Sequence, residues 1–119
     1  MQYAINTTKM AIKGKFEDQL TELAEGIKAM GHPARILILK HLLDNGPSTC
    51  QDIVDRLPYS QSTVSGHLQK LKDGKLIKMK PVKTSSVYTI NMETIEMIHK
   101  EMAEKFNLRT ETKKQMSLF

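Results

Sequence analysis

The 119-residue chain carries 18 Lys+Arg against 13 Asp+Glu, a formal net charge of +5, with 39% hydrophobic residues and one cysteine. That length suits one domain and excludes a large two-domain enzyme. The longest aliphatic run, Ile36-Leu37-Ile38-Leu39, falls far short of the ~20 residues that span a bilayer. Cys50 alone can build neither an internal disulfide nor a thiolate metal cage, and Met1 to Asn6 does not have the form of a secretory signal, so the chain reads as soluble, reduced and cytoplasmic with no membrane partner.

Residues 1–15 are polar without a clear period and read as an N-terminal arm. Phe16, Leu20, Leu23, Ile27 and Met30 then recur at spacings of 4, 3, 4 and 3, one apolar stripe of a helix that Gly31 ends. His32-Pro33 opens the next helix, with Pro33 where its missing N–H costs nothing. Ile36 to Leu43 is apolar nearly all round, which predicts a helix central to the core, and Asn45-Gly46-Pro47 breaks it. Ser48 to Gln51 has the form of a capping box opening a short third helix, with Ile53, Val54 and Leu57 inward. After a turn at Pro58-Tyr59, Ser60 can cap a fourth helix through Val64, Leu68 and Leu71 to Gly74, a left-handed stop.

Leu76 to Lys80 and Ser86 to Ile90 alternate in part and read as a β-hairpin, joined by a basic tip from Pro81 to Ser85. A last helix begins near Met92 or Glu93, with Ile95, Ile98, Met102 and Phe106 on one face, and residues 107–119 form a polar tail. The expectation is a mainly α fold with a small β-hairpin, ordered α-α-α-α-β-β-α, with one domain over residues 16–106. Two short helices joined by a tight turn and followed by a basic hairpin are the parts of a winged helix-turn-helix.

The charge has an address. Residues 60–90 hold six lysines (Lys70, Lys72, Lys75, Lys78, Lys80 and Lys83) against Asp73, and elsewhere twelve basic and twelve acidic residues cancel. Within the fourth helix, removing the core positions Val64 and Leu68 leaves a hydrogen-bonding row: Ser60, Gln61, Ser62, Thr63, Ser65, His67 and Gln69. Ser and Thr are indifferent helix formers, so a helix selected for stability alone would carry Glu, Lys or Ala there. These side chains can contact phosphates and base edges, and Gln61 has the paired donor and acceptor that adenine requires. Gly66 removes bulk where a helix approaches a groove wall. Lys70 and Lys72, with Lys80, Lys83, Thr84 and Ser85 on the hairpin, can reach the backbone of the same duplex. The expected partner is double-stranded DNA.

Met30-Gly31-His32-Pro33-Ala34-Arg35-Ile36-Leu37, together with Ser60-Gln61-Ser62-Thr63-Val64-Ser65-Gly66-His67-Leu68-Gln69-Lys70-Leu71, resembles the ArsR/SmtB family of bacterial winged-helix repressors. The likeness covers roughly residues 16–106. It implies a homodimer built on the first and last helices that binds an inverted-repeat operator and represses transcription. The two apolar stripes point the same way, because they exceed what one small core would cover; the expected interface is Phe16, Leu20, Leu23, Ile27, Ile95, Ile98, Met102 and Phe106.

Many members of that family sense metals. Here the stretch Ser48-Thr49-Cys50-Gln51-Asp52 has one cysteine where the thiolate type carries two, and near the last helix only His99, Glu96 and Glu101 stand together. No metal or other cofactor is expected, since a stable Zn²⁺ site wants three or four ligands. No catalytic arrangement of Ser, His and Asp, paired carboxylates or phosphate-binding glycine loop occurs, so the chain is not read as an enzyme. A redox- or metal-sensing repressor is the subordinate reading and a winged-helix module that binds protein is the rival one.

Overall fold

The stripe ending at Met30 belongs to a much longer helix than its apolar period indicates. In the structure, a computed structural model that describes the backbone of residues 2–109 and the side chains of that stretch except at residues 2–8, 11, 12 and 16, the first helix, α1, runs Gln2–Met30. The expected polar arm is therefore helical over residues 2–15. No proline interrupts it, Ala, Met and Lys favour helix there, and Lys13 pairs with Glu17 one turn on at 3.6 Å. Residues 110–119 of the expected tail, and the side chain of Phe16, lie outside the described residues.

Helix α2 (Pro33–Asn45) starts as its sequence dictates: His32 is the N-cap, its Nδ1 accepting from the Ala34 N–H at 3.1 Å, and Pro33 stands in the first turn. The helix is less central than its composition predicts. Ile38, Leu39 and Leu42 are buried, but Ile36, Leu37 and Leu43 are exposed along its other side.

Ser48 does not cap the third helix. Ser48–Thr49 form a two-residue strand, β1, and Thr49 is the cap of α3 (Cys50–Val54). Its Oγ1 accepts from the Asp52 N–H at 3.1 Å while the Asp52 carboxylate accepts from the Thr49 N–H at 2.9 Å, a reciprocal capping box displaced by one residue from the expected one. Ser48 is instead buried, its hydroxyl donating to the Gly46 carbonyl at 2.9 Å and accepting from His41 Nε2 at 3.1 Å.

Helix α4 (Gln61–Asp73) is capped by Ser60, as its sequence predicts, and buries Val64, Leu68 and Leu71. Its end differs from the expectation. Gly74 has φ −81°, and the left-handed residue is Lys75, φ 62°. Glycine is needed at 74 for space: a Cβ there would run into the Cβ of Ala29 on α1. At Gly26 a Cβ would come within 2.7 Å of Ile98 Cδ1, so α1 approaches both α4 and the last helix closely at small residues.

The hairpin is tighter than its sequence indicates. Strands β2 (Ile77–Val82) and β3 (Ser85–Ile90) pair antiparallel from Ile77↔Ile90 to Val82↔Ser85, leaving only Lys83-Thr84 as the turn. Strand β1 adds to the outer edge of β3 through Ser48↔Tyr88 and Thr49↔Val87, giving a three-stranded sheet in the order β1-β3-β2. The last helix, α5 (Met92–Lys105), follows Asn91, whose Nδ2 donates to the Lys75 carbonyl at 2.9 Å and to Thr94 Oγ1 at 3.0 Å. Asn91 thus pins the turn after α4 to the start of α5.

One core joins these elements: Leu23 and Ala29 of α1, Ile38, Leu39 and Leu42 of α2, Ile53 of α3, Val64, Leu68 and Leu71 of α4, Leu76 and Ile77 at the start of the hairpin, and Ile98 of α5. No described helix is long and apolar enough to cross a membrane.

Candidate nucleic-acid interface

The fourth helix is presented by what lies beneath it. With Val64, Leu68 and Leu71 directed into the core, the 3.6-residue period turns Ser62, Gly66 and Gln69 directly away from it, and Thr63 and Lys70 stand along one flank. Ser60, Gln61, Ser62, Thr63, Ser65, Gly66, Gln69 and Lys70 are all exposed, while His67 and Lys72 are half-buried. Gly66 has no atom near the place a Cβ would occupy, so the outer face of α4 is open at its centre.

The hydroxyls at the start of α4 are ordered rather than loose. Ser60 Oγ accepts from the Thr63 N–H at 3.3 Å, donates to Thr63 Oγ1 at 2.9 Å and lies 3.3 Å from Ser62 Oγ. Gln61 lines a cleft of about 310 Å³ shared by α3, α4 and β3, together with Ser65, Ser85 and Ser86. Gln69 is less free than its sequence implies: its Nε2 donates to Asp73 Oδ1 at 2.8 Å. Asp73, the one acid of this segment, holds the Gln69 amide to the end of the helix.

On the hairpin, Lys80, Lys83, Thr84 and Ser85 are exposed, with Lys83 and Thr84 forming the tip. Lys78 is exposed as well and, two residues from Lys80, shares its strand face. Lys78 was visible in the sequence as part of the lysine cluster, and its spacing from Lys80 is the signal that adds it to the wing.

His67 is held from behind. Arg35 Nε donates to its Nδ1 at 3.2 Å, the His32 ring lies 4.5 Å away between centroids, and Tyr59 approaches edge-on at 6.5 Å. Burial, then the neighbouring His32 and Arg35, push the His67 pKa down. Arg35 also donates through Nη1 to the Ala29 carbonyl at 3.1 Å, so it joins the end of α1 to α4. Nothing in the sequence pattern places Arg35 at the recognition helix, because the contact spans 32 residues.

Cys50 lies in the same cleft as Gln61, half-buried, its Sγ 4.0 Å from the Gln61 carbonyl oxygen. Burial pushes its thiol pKa up, which opposes thiolate formation and hence reactivity. Among the described residues no group of three or more His, Cys, Asp or Glu is placed to hold a metal ion.

Of the expected interface residues, Leu23 and Ile98 are buried inside the protomer, where they pack in the common core. They offer no surface to a second copy. Leu20, Ile27 and Phe106 are exposed, and Ile95 and Met102 are half-buried.

A capped helix with an exposed hydrogen-bonding face, set behind a short helix and beside a lysine-bearing hairpin, defines a winged helix-turn-helix DNA-binding protein. The comparisons agree. The family model for a helix-turn-helix domain matches residues 30–80. An HTH-type transcriptional regulator of Methanocaldococcus jannaschii is 34% identical over 87 residues, 73% of this chain and 98% of that protein. The transcriptional repressor PagR of Bacillus anthracis is 36% identical over 81 residues, 68% of this chain and 81% of that protein. Among solved structures, an ArsR-like transcriptional regulator from Rhodococcus sp. RHA1 superposes with a TM-score of 0.69 at 20% identity, covering 83% of this chain and 95% of that one. The chain belongs to the ArsR/SmtB-type helix-turn-helix transcriptional regulators, proteins that bind DNA and are not enzymes.

Proposed function

We propose that the chain is a homodimeric, sequence-specific repressor acting on DNA in the cytoplasm, with an inverted-repeat operator. The observation that carries this reading is the outer face of α4: an ordered row of hydroxyls and amides, exposed, open at Gly66 and flanked by lysines on the helix and the hairpin. In the complex α4 lies in the major groove, where Gln61, Ser62, Thr63, Ser65 and Gln69 meet base edges and sugars. Lys70, Lys72, Lys80 and Lys83 meet phosphates, with Thr84 and Ser85 beside them at the wing. The copies meet through α1 and α5 at Leu20, Ile27, Ile95, Met102 and Phe106, whose exposed or half-exposed apolar surface supports a two-fold contact.

Selection of bound sequences from a random duplex pool tests all of this at once. The expected product is a pseudo-palindrome with half-sites about 10 bp apart, because two recognition helices in one dimer are spaced by about 34 Å. With those four lysines per copy on phosphates, log K against log[salt] should slope by roughly −7 for the dimer. A single unrepeated half-site refutes the dimer, and a flat salt dependence refutes the phosphate contacts.

A further inference from the structure

An arginine has no lone pair to offer, so whatever Arg35 Nε touches must accept. It touches His67 Nδ1. The proton of the neutral imidazole therefore sits on Nε2. No buried side-chain polar atom among the described residues lacks a partner, so Nε2, which bonds to no other group, reaches solvent. On α4 His67 lies one turn from both Thr63 and Lys70, on the flank that carries them.

We propose that Arg35 is a positioning residue for DNA recognition: its bond to Nδ1 fixes His67 as the neutral Nε2–H tautomer and holds that N–H outward, between Thr63 and Lys70, as a donor to a backbone phosphate. This rests on the DNA-binding reading above and adds a residue that makes no DNA contact itself. The anchor is rigid because Arg35 is held in turn, its Nη1 donating to the Ala29 carbonyl at 3.1 Å and the Lys28 carbonyl at 3.5 Å. His32 packs on the His67 ring from the start of α2, with its own Nδ1 engaged by the Ala34 N–H.

Burial, then His32 and Arg35, favours the neutral ring. Arg35 and His32 of α2 stand beside it, Tyr59 of the α3–α4 connection meets its edge, and Lys70 follows one turn on. The cleft beyond Arg35 adds Lys28 and the acids Glu25 and Asp73. A proton arriving on Nδ1 would expel the Arg35 bond, because both partners would then be donors. Burial and the two neighbouring groups keep the His67 pKa below its ordinary value, so the arrangement is intact at neutral pH. It is lost as acid takes the ring through that lowered value.

The test uses full-length wild type, Arg35→Met, His67→Ala and the double variant on a duplex enriched from a random pool, with histidine NMR titration of the free proteins. Arg35→Met should weaken DNA binding about tenfold, as expected for a charged hydrogen bond. In the His67→Ala background the same change should cost about twofold or less. With His67 in place, Arg35→Met should also raise the His67 titration midpoint toward the ordinary histidine value. Equal losses in both backgrounds would show that Arg35 only supports the fold, and an unchanged midpoint would show that it does not set the state of His67; either overturns the proposal. Should Arg35→Met fail to fold, Arg35→Lys keeps a cation for the α1 carbonyls and is subject to the same outcomes. If wild type binds no duplex, the DNA reading fails and the phosphate contact with it, whereas the NMR titration isolates the Arg35–His67 bond.

Discussion

Gly74 closes the recognition helix directly against Ala29, with no room between them for a second methyl group. Replacing Gly74 by Ala forces α1 and α4 apart and should cost about 1–3 kcal/mol of stability, the usual penalty for overpacking. Ala29→Gly in the same chain should recover part of that loss. Urea denaturation of the two single variants and the double variant decides it: strictly additive losses would mean that the two positions do not meet.

Ser48 supplies the acceptor for buried His41, and Asn45 Nδ2 stands 3.3 Å from the other ring nitrogen. Removing that hydroxyl leaves a buried N–H without a partner, which costs about 1–3 kcal/mol. Ser48→Ala should therefore destabilise the protein by that amount although it deletes a single oxygen atom. A denaturation midpoint equal to wild type would show that the ring finds another partner.

The Asp52 carboxylate is held below the ordinary aspartate range, first by the backbone N–H of Thr49 and then by its side chain. A folded pKa below the unfolded one means that the contribution is complete above about pH 4 and disappears as pH falls through the lowered value. Asp52→Asn should flatten the acid limb of the stability curve. Parallel curves for wild type and variant from neutral pH into that acid range would remove Asp52 from the list of acid-sensitive groups.

Gln61 and Lys80 should fail differently. Gln61→Ala should lower discrimination between the selected operator and a scrambled duplex, whereas Lys80→Ala should weaken both alike and reduce the salt slope by about one. Competition binding at two salt concentrations separates them. A uniform loss from Gln61→Ala would assign that side chain to the backbone.

The sequence exposes what has a local cause. The cap at Ser60, the proline start of α2 and the buried ridge Val64-Leu68-Leu71 all depend on neighbours within a turn or two, and all stand in the structure as their residues indicate. What is illegible has a distant cause. Ser48-Thr49 becomes a strand only because Val87 and Tyr88 lie alongside, and that pairing moves the helix cap from Ser48 to Thr49. Helix α1 continues through residues 2–15 without a regular apolar period, so a pattern built on periodicity stops at Phe16. The same distinction divides the site: the exposed row on α4 is legible from residue type, while the hold of Arg35 on His67 and of Asp73 on Gln69 depends on rotamers and three-dimensional placement.

At the hairpin tip Lys83 adopts φ 59°, in the first position of a two-residue turn that usually belongs to glycine. A lysine there strains the backbone by about 1 kcal/mol and places a cation at the outermost point of the wing. Folding and binding therefore pull this position in opposite directions. Lys83→Gly should raise the unfolding midpoint while lowering affinity for every duplex, so a screen for heat-resistant variants would blunt the wing and a screen for tight operators would restore it.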